Sequence, residues 1–449
     1  MKRFCTKFQN SILLALTAIL YLGCYAVFFG LLGIENKQLL VLSRTSVVIT
    51  FSWIIITYLL TAIYGKFDVG VRKSRPIIIS LSLTTLMNDV AAYLLLNIMN
   101  RNEDNNKTFK IEFAGVFVCI MIIQLLWIAL LTYAGNGFYF MINEPLRTLV
   151  IVREKGDEER LRRIIGVFHR RYSIAGVMGY EDEGIDEAIN NCQAVFLYDL
   201  PVPERTRLVN ECYHKRKSIY FNPEISDILV HSSRQSMFDD TSFLVCEERA
   251  MSFEQRIIKR LMDIGVSALA LIITSPIFLI AAIAIKAGDK GPVFFRQDRA
   301  TLRGRTFRIF KFRTMRVDSG NRSVTKNDDR ITPVGKVLRK YRLDELPQFI
   351  NILRGEMSLV GPRPEMLENV EEYTKELPEF GYRLRMKAGL TGYAQIMGKY
   401  NTSSRDKLIL DLYYIENFSI FKDIQLLFQT VLVLLKAEDS TEGFKGRPE

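Results

Sequence analysis

The chain has 449 residues, 49% of them hydrophobic and 24% charged, with a formal net charge of +11. That length is too great for one ordinary domain and points to two or three. Six cysteines, Cys5, Cys24, Cys119, Cys192, Cys212 and Cys246, show no C-x-x-C spacing and have no nearby His partners, and they read most simply as free thiols in a reducing compartment.

Four apolar runs, at about 11–33, 46–64, 76–98 and 113–134, fill the first third of the chain. Each is close to the ~20 residues that cross ~30 Å of hydrocarbon, so residues 1–140 read as a four-helix transmembrane region. Lys2, Arg3 and Lys7 precede the first run, and Lys66, Arg72, Lys73 and Arg75 follow the second, whereas the other connections mix charges. Positive charge marks the cytoplasmic side, which places the N-terminus and everything after residue 136 in the cytoplasm. The first run is too long for a signal peptide and lacks a small-residue cleavage site. Asn88 and Asp89 interrupt the third run; an ionisable group at that depth is a functional candidate, and a polar contact between helices is the simpler reading.

From Leu149 the pattern changes to short apolar strands, near 149–152, 174–178, 194–198 and 218–221, separated by charged helices. This alternation predicts a parallel Rossmann-like α/β domain over residues 146–250. A dinucleotide site would need a Gly-rich turn after the first strand, but Arg153-Glu-Lys-Gly-Asp157 holds one glycine. Tyr213-His-Lys-Arg-Lys217 matches a Y-x-x-x-K spacing and reads more simply as a solvated helix face.

Ile264 to Ile285 is long enough to span, yet Thr274-Ser275-Pro276 lies in its middle and basic residues flank both ends: Arg256, Lys259 and Arg260 before, Lys286 and Lys290 after. Both ends therefore belong on the cytoplasmic side. Proline removes a backbone donor, so a bend is expected at Ser275-Pro276, with the serine hydroxyl capping a released carbonyl. The segment at about 264–285 reads as a re-entrant helix, the alternative of a straight fifth span placing the basic block outside against the positive-inside bias, and Asp263 at its start reads as a partner for a nearby Arg.

Between Lys286 and Arg342 seventeen Lys and Arg face five Asp and Glu, a local excess of twelve that is larger than the charge of the whole chain. The acidic dyad Asp344-Glu345 follows directly. Pro347 is expected in the first turn of a helix whose apolar stripe is Leu343, Leu346, Ile350 and Leu353, with the dyad at its N-terminal end. The helix dipole and Arg339 and Arg342 would keep Asp344 ionised. Such an aspartate is a nucleophile for a phosphoanhydride, with its neighbour holding a divalent cation; a plain helix cap fits the position equally well. Lys311-Phe-Arg-Thr-Met315 alternates basic and apolar residues like a strand with a phosphate-facing edge, and Gly361-Pro-Arg-Pro364 is a rigid turn presenting Arg363.

These segments, together with Lys259-Arg-Leu-Met-Asp263, Gly291-Pro-Val-Phe-Phe-Arg-Gln297, Leu343-Asp-Glu-Leu-Pro-Gln348, Met357-Ser-Leu-Val-Gly-Pro-Arg-Pro364 and Gly389-Leu-Thr-Gly-Tyr-Ala-Gln395, closely resemble the signatures of the large monotopic polyprenyl-phosphate glycosyl-1-phosphate transferases, a bacterial sugar transferase family. The resemblance is tight over about residues 251–435 and architectural before that. It implies a monotopic α/β catalytic domain over 251–449 with a re-entrant membrane helix. It also implies transfer of a sugar-1-phosphate from a UDP-sugar to undecaprenyl phosphate, through an aspartyl intermediate and with release of UMP. By the same resemblance Asp344 is the nucleophile and Glu345 the residue associated with Mg²⁺ or Mn²⁺. Lys311, Arg313, Arg339, Arg342, Pro362, Arg363 and Gln395 are then substrate-binding positions, and Ser275-Pro276 is the re-entrant break. Glu356 stands where the family commonly has Asp, and Leu390 where it often has Ile.

The implied setting is the bacterial cytoplasmic membrane, with the catalytic domain facing the cytoplasm. The implied partners are the bilayer and downstream glycosyltransferases, with a homodimer possible and no nucleic acid. Toward the C-terminus, Tyr413, Tyr414, Phe418 and Phe421 precede the short apolar helix 424–435, which suits either interfacial seating or core packing. The tail after residue 437 carries no readable signal. A membrane-anchored nucleotide-sugar dehydratase is the rival enzyme and lacks its glycine fingerprint here; an inactive assembly scaffold is the rival non-enzyme, against which the intact site residues count. The sugar is not legible.

Overall fold

The computed structural model describes residues 8–99, 111–154, 156–316, 329–398 and 403–435. Lys2, Arg3, Cys5, Lys7, Lys155 and the tail after 437 lie outside them. The chain forms two compact units, Met1–Asn222 and Pro223–Glu449.

The first unit opens with four long helices, α1 (Gln9–Glu35), α2 (Arg44–Tyr64), α3 (Ser74–Met99) and α4 (Ala114–Ile142). Each is long and apolar enough to cross a membrane. Phe28, Leu32, Ile49, Ile77, Leu81, Ala92 and Ile120 form the inner seam, while Phe51, Ile54, Leu126 and Leu130 point outward. Apolar residues on both faces are what a lipid-facing bundle requires. Asp89 is fully buried and its Oδ1 accepts from Trp53 Nε1 at 3.0 Å. It is therefore a polar contact between α2 and α3.

Strands β1 (Leu146–Val152), β2 (Tyr172–Gly179), β3 (Ala194–Tyr198) and β4 (Ser218–Phe221) form an all-parallel sheet in the order β2-β1-β3-β4, with helices α5 (Asp157–Gly166), α6 (Ile185–Asn190) and α7 (Val202–His214) between them. The two faces of β1 feed two cores: Leu149 and Ile151 pack with Leu197 and Leu208, and Val150 and Val152 with Leu161 and Ile165. The helix after β1 begins Asp157, Glu158, Glu159, and three carboxylates at a helix N-terminus repel a phosphate rather than hold one. Tyr213 is 81% exposed, and Lys217 Nζ donates to the carbonyls of Asn190 and Cys192, so this motif is a solvated helix end.

The second unit contains α8 (Ile225–His231), the hairpin β5 (Arg234–Phe238) and β6 (Thr241–Val245), α9 (Phe253–Asp289), the antiparallel pair β7 (Phe294–Ala300) and β8 (Thr306–Phe312), α10 (Pro333–Lys340), α11 (Gln348–Arg354), β9 (Ser358–Val360), α12 (Leu367–Glu376), β10 (Gly389–Thr391), α13 (Tyr393–Met397), α14 (Ser404–Glu416) and α15 (Ile420–Leu435). Residues 223–250, grouped by the sequence with the middle domain, belong here. Ile228 joins a core with Met357, Leu359, Phe380 and Leu412, and Ser232 and Arg249 bond Glu416 of α14.

Helix α9 runs through Pro276. Proline has no N–H for the carbonyl four residues back, which is that of Ile272, and Ser275 Oγ donates to that carbonyl at 2.8 Å. Its first turns are tied down by Arg260, whose Nη1 and Nη2 donate to the carbonyls of Ile352 and Leu353 at 2.6 and 2.7 Å. Near its other end Ala281 and Ile285 are buried with Phe312 and Leu338. Between these anchors Leu269, Ile272, Ile273, Leu279 and Ile280 are all more than half exposed. Among the described residues Asp263 forms no ion pair with an arginine: its Oδ1 accepts from Leu359 N–H at 2.9 Å and Ser358 Oγ at 3.1 Å, because its helix face meets strand β9. Lys259, one turn earlier, is buried and bonds Asp423 and the Val360 carbonyl.

At the C-terminal end Tyr414 and Leu426 are core residues, while Phe421 is 44% exposed, so α15 has one packed and one open face.

Candidate active site

The acidic dyad does not start a helix. Leu343–Glu345 is a single 3₁₀ turn entered from Arg342 at φ 53°, and α11 begins only after Pro347, which caps it. The physical reason is the proline itself. Its missing N–H leaves the Leu343 carbonyl without the i+4 donor, and Leu346 N–H takes that carbonyl at i+3, at 3.2 Å. The expected apolar stripe is split accordingly: Leu343 and Leu346 pack on Phe312 and Leu338, whereas Ile350 and Leu353 are half-buried on α11, where it is their neighbour Phe349 that joins the core with Met357.

The dyad residues then part ways. Glu345 Oε1 accepts from Lys311 Nζ at 2.8 Å and lies 3.4 Å from Arg363 Nη2. Burial raises the Glu345 carboxyl, but Lys311 and Arg363 outweigh burial and hold it far below the ordinary carboxylate range. Asp344 has no ion-pair or hydrogen-bonding side-chain partner among the described residues. Burial, and next the charge of Glu345, lift its carboxyl above the usual value, with Lys311 and Arg339 pulling the other way. The sequence expected a helix dipole and arginines to dominate; the dyad lies in a three-residue 3₁₀ turn ahead of the α-helix, and desolvation is the larger effect. A carboxylate of raised basicity is the better nucleophile.

Lys311 reaches the dyad because of strand register. In the β7–β8 pair it sits opposite Phe295 and shares a face with Ile309 and Phe307, which anchor that face in the core. Asn351, fully buried on α11, fixes β8 by accepting from Phe310 N–H at 2.9 Å and donating to the Arg308 carbonyl at 2.8 Å. Its Nδ2 also donates to Glu356 at 2.6 Å, so the glutamate at this position still reaches its partner.

Arg363 is carried by a turn that is locked by backbone contact. Gly361 N–H donates to the Thr391 carbonyl and Gly389 N–H to that of Pro362, both at 2.9 Å. A Cβ on Gly361 would lie 2.2 Å from the Lys387 carbonyl oxygen, and one on Gly389 2.1 Å from Gly361 N. Only glycine permits the two signature segments to touch.

Asp344, Glu345, Lys311 and Arg363 thus converge. Arg339 and Arg342 stand close enough to act electrostatically on Asp344 and Glu345 respectively, and Arg339 Nε also donates to Thr314 Oγ1 at 2.8 Å. Three positions differ from the expectation of direct substrate contact. Arg313 is 7% exposed and its guanidinium lies against Gly291, where a Cβ would come within 1.8 Å of Nη1. Pro362 is buried and acts through its carbonyl. Gln395 donates Nε2 to the Leu390 carbonyl at 3.1 Å, although its Oε1 is buried without a described partner. Asn351, which fixes β8 beside the site, carries no motif signal in a single sequence.

The bacterial sugar transferase family profile matches residues 254–437. A Caulobacter vibrioides UDP-glucose:undecaprenyl-phosphate glucose-1-phosphate transferase is 38% identical over 190 residues, 40% of this chain and 71% of that one. The chain belongs to the bacterial sugar transferase family. Other relatives of the family include an Aeromonas hydrophila UDP-N-acetylgalactosamine-undecaprenyl-phosphate N-acetylgalactosaminephosphotransferase, 43% identical over 184 residues (40% of this chain, 44% of that one). A Klebsiella pneumoniae UDP-glucose:undecaprenyl-phosphate glucose-1-phosphate transferase is 39% identical over 222 residues (48% of each chain). The chain spans about half the length of these two sugar transferases.

Proposed function

We propose that the chain transfers a sugar-1-phosphate from a UDP-sugar to undecaprenyl phosphate at the cytoplasmic face of a bacterial membrane. The observation that carries this reading is the division of labour in the dyad: Glu345 is committed to Lys311 and Arg363, and Asp344 is left uncommitted beside them. In the first step an Asp344 carboxylate oxygen attacks the β-phosphorus, the bond from that phosphorus to the bridging oxygen breaks, and UMP leaves with the electron pair. In the second step a phosphate oxygen of undecaprenyl phosphate attacks the same phosphorus, which frees the Asp344 carboxylate and forms the diphosphate-linked sugar. Lys311, Arg339, Arg342 and Arg363 supply the positive charge that two anionic substrates need.

Glu345 would be the residue to hold a divalent cation: both its cationic partners take Oε1, and Oε2, a hard oxygen, has no partner among the described residues. When bound, Mg²⁺ or Mn²⁺ would polarise the phosphoryl oxygens and stabilise charge on the leaving phosphate.

Re-entry of α9 is supported by its two anchors on one folded unit, Arg260 at one end and Ile285 at the other, with exposed leucines and isoleucines between them. Holding both ends on the same α/β body opposes delivery of one end to the far side of a bilayer. The lipid substrate would then meet the site at the leaflet surface, while the nucleotide sugar arrives from solution.

The relatives act on different sugars by name, glucose and N-acetylgalactosamine, at similar identity, so the sugar is chosen by a panel. Membranes containing the chain and undecaprenyl phosphate are offered each UDP-sugar and UMP is measured. Release from at least one donor, dependent on the lipid for repeated turnover, is expected; no release from any donor contradicts the proposal.

A further inference from the structure

Arg363 reaches Glu345 from a turn that is gripped from behind. Arg383, 3% exposed, donates Nη2 to the Arg363 carbonyl at 2.8 Å, and its Nε donates to Asp411 Oδ2 at 3.0 Å. Asp411 is 1% exposed on α14, and a second contact, Arg383 Nη2 to the same Oδ2 at 2.7 Å, makes the pair close. The Arg383 guanidinium also packs 4.9 Å from the Phe380 ring centre, which fixes its plane. From the other side Arg299 Nη1 donates to the carbonyl of the next residue in the chain, Pro364, at 3.3 Å. Two arginines on separate elements therefore hold consecutive carbonyls of one short turn.

Such an arrangement is a poor device for stability alone. Burying an Arg–Asp pair costs desolvation that the pairing roughly returns, and well-packed apolar residues would do as well. What the pair adds is direction: the charged fork fixes a backbone oxygen to within hydrogen-bond tolerance. The oxygen it fixes belongs to the residue whose side chain meets the dyad.

We infer that Arg383, held by Asp411, is a positioning residue for the transfer proposed above, fixing the Arg363 backbone so that its guanidinium stays at Glu345 and the phosphate site. This rests on that reading of the function. Arg383 touches no reacting atom; its effect on the transfer passes through Arg363.

A double-mutant cycle tests this, with kcat/KM for UMP release as the readout and the melting temperature of each purified variant as the check on folding. Arg383→Gln is expected to lower kcat/KM about 10- to 100-fold, the scale of a small misplacement of a binding group. In an Arg363→Gln background the same change is expected to cost less than about 2-fold, because the group it positions is gone. Losses that multiply fully in the two backgrounds, or a single variant as active as the wild type, overturn the inference. If Arg383→Gln does not fold, Arg383→Lys, which keeps charge beside Asp411 but cannot serve both acceptors with one fork, carries the same cycle with the same two outcomes. A wild-type chain that releases no UMP sinks the function itself, whereas a working wild type with multiplicative losses sinks the positioning alone.

Discussion

Lys311 Nζ lies 2.8 Å from Glu345 Oε1, and this one ion pair separates the roles of two adjacent carboxylates. Side chains of the pair are 20% and 16% exposed, so the attraction is only partly screened. Replacing Lys311 by Met should leave Glu345 with Arg363 alone and reduce donor turnover about 100-fold, by removing a preorganised charge from the phosphate site. UMP release by Lys311→Met measures it; turnover within about 3-fold of wild type would show that the lysine only supports the fold.

Glu365 follows the Arg363 turn and faces Lys407 at 3.5 Å and Arg383 at 3.8 Å. Burial raises its carboxyl, but Arg383 and Lys407 prevail and lower it below the ordinary value of 4.5. A carboxylate depressed in the folded state stabilises the protein above its unfolded pKa and loses that contribution as pH falls toward the folded one. Glu365→Gln should therefore melt below the wild type at neutral pH, and the gap should shrink as pH is lowered beneath about 4.5. A gap constant from pH 7 to pH 4, by thermal melting in detergent, would contradict the pairing.

The close approach of Gly361 and Gly389 makes a sharp comparison possible. Gly361→Ala must displace backbone, since its Cβ would meet the Lys387 carbonyl oxygen at 2.2 Å, and should both lower the melting temperature and reduce UMP release at least about 10-fold as Arg363 moves. Gly381→Ala, where nothing lies within 4 Å, should leave both unchanged.

Pro276→Leu restores an N–H to the Ile272 carbonyl, which Ser275 otherwise caps. The variant helix should shift toward a full span, and labelling of a single cysteine placed at 290 should move to the outer face in a fraction of molecules. Labelling that remains wholly cytoplasmic would assign re-entry to the anchors at Arg260 and Ile285 rather than to the proline.

The parts of this protein that were readable from sequence are those with a period or a rare residue. Long apolar runs gave the helices Gln9–Glu35 to Ala114–Ile142, and short apolar runs gave the strands Leu146–Val152 to Ser218–Phe221, because each signal is local. Asp344, Glu345, Lys311 and Arg363 stood out as charges in ordered motifs, and the structure brings them together. Pro347 misled because a proline fits either inside a first turn or just before it, and the carbonyl bookkeeping that chooses between them is tertiary. Arg313 looked like Lys311 but lies against Gly291, since the strand Thr306–Phe312 ends between them. Arg383 and Asp411, 28 residues apart, could not be paired by any spacing rule.

The most direct measurement is the identity of the group that carries the sugar phosphate. The chain is incubated with a UDP-sugar bearing ³²P in the β-phosphate, without lipid, quenched, digested and mapped. Label on Asp344 that is absent in Asp344→Asn and chased into lipid by undecaprenyl phosphate is the expected result. Turnover of the same preparation with no label at residue 344, or full activity in Asp344→Asn, would contradict it.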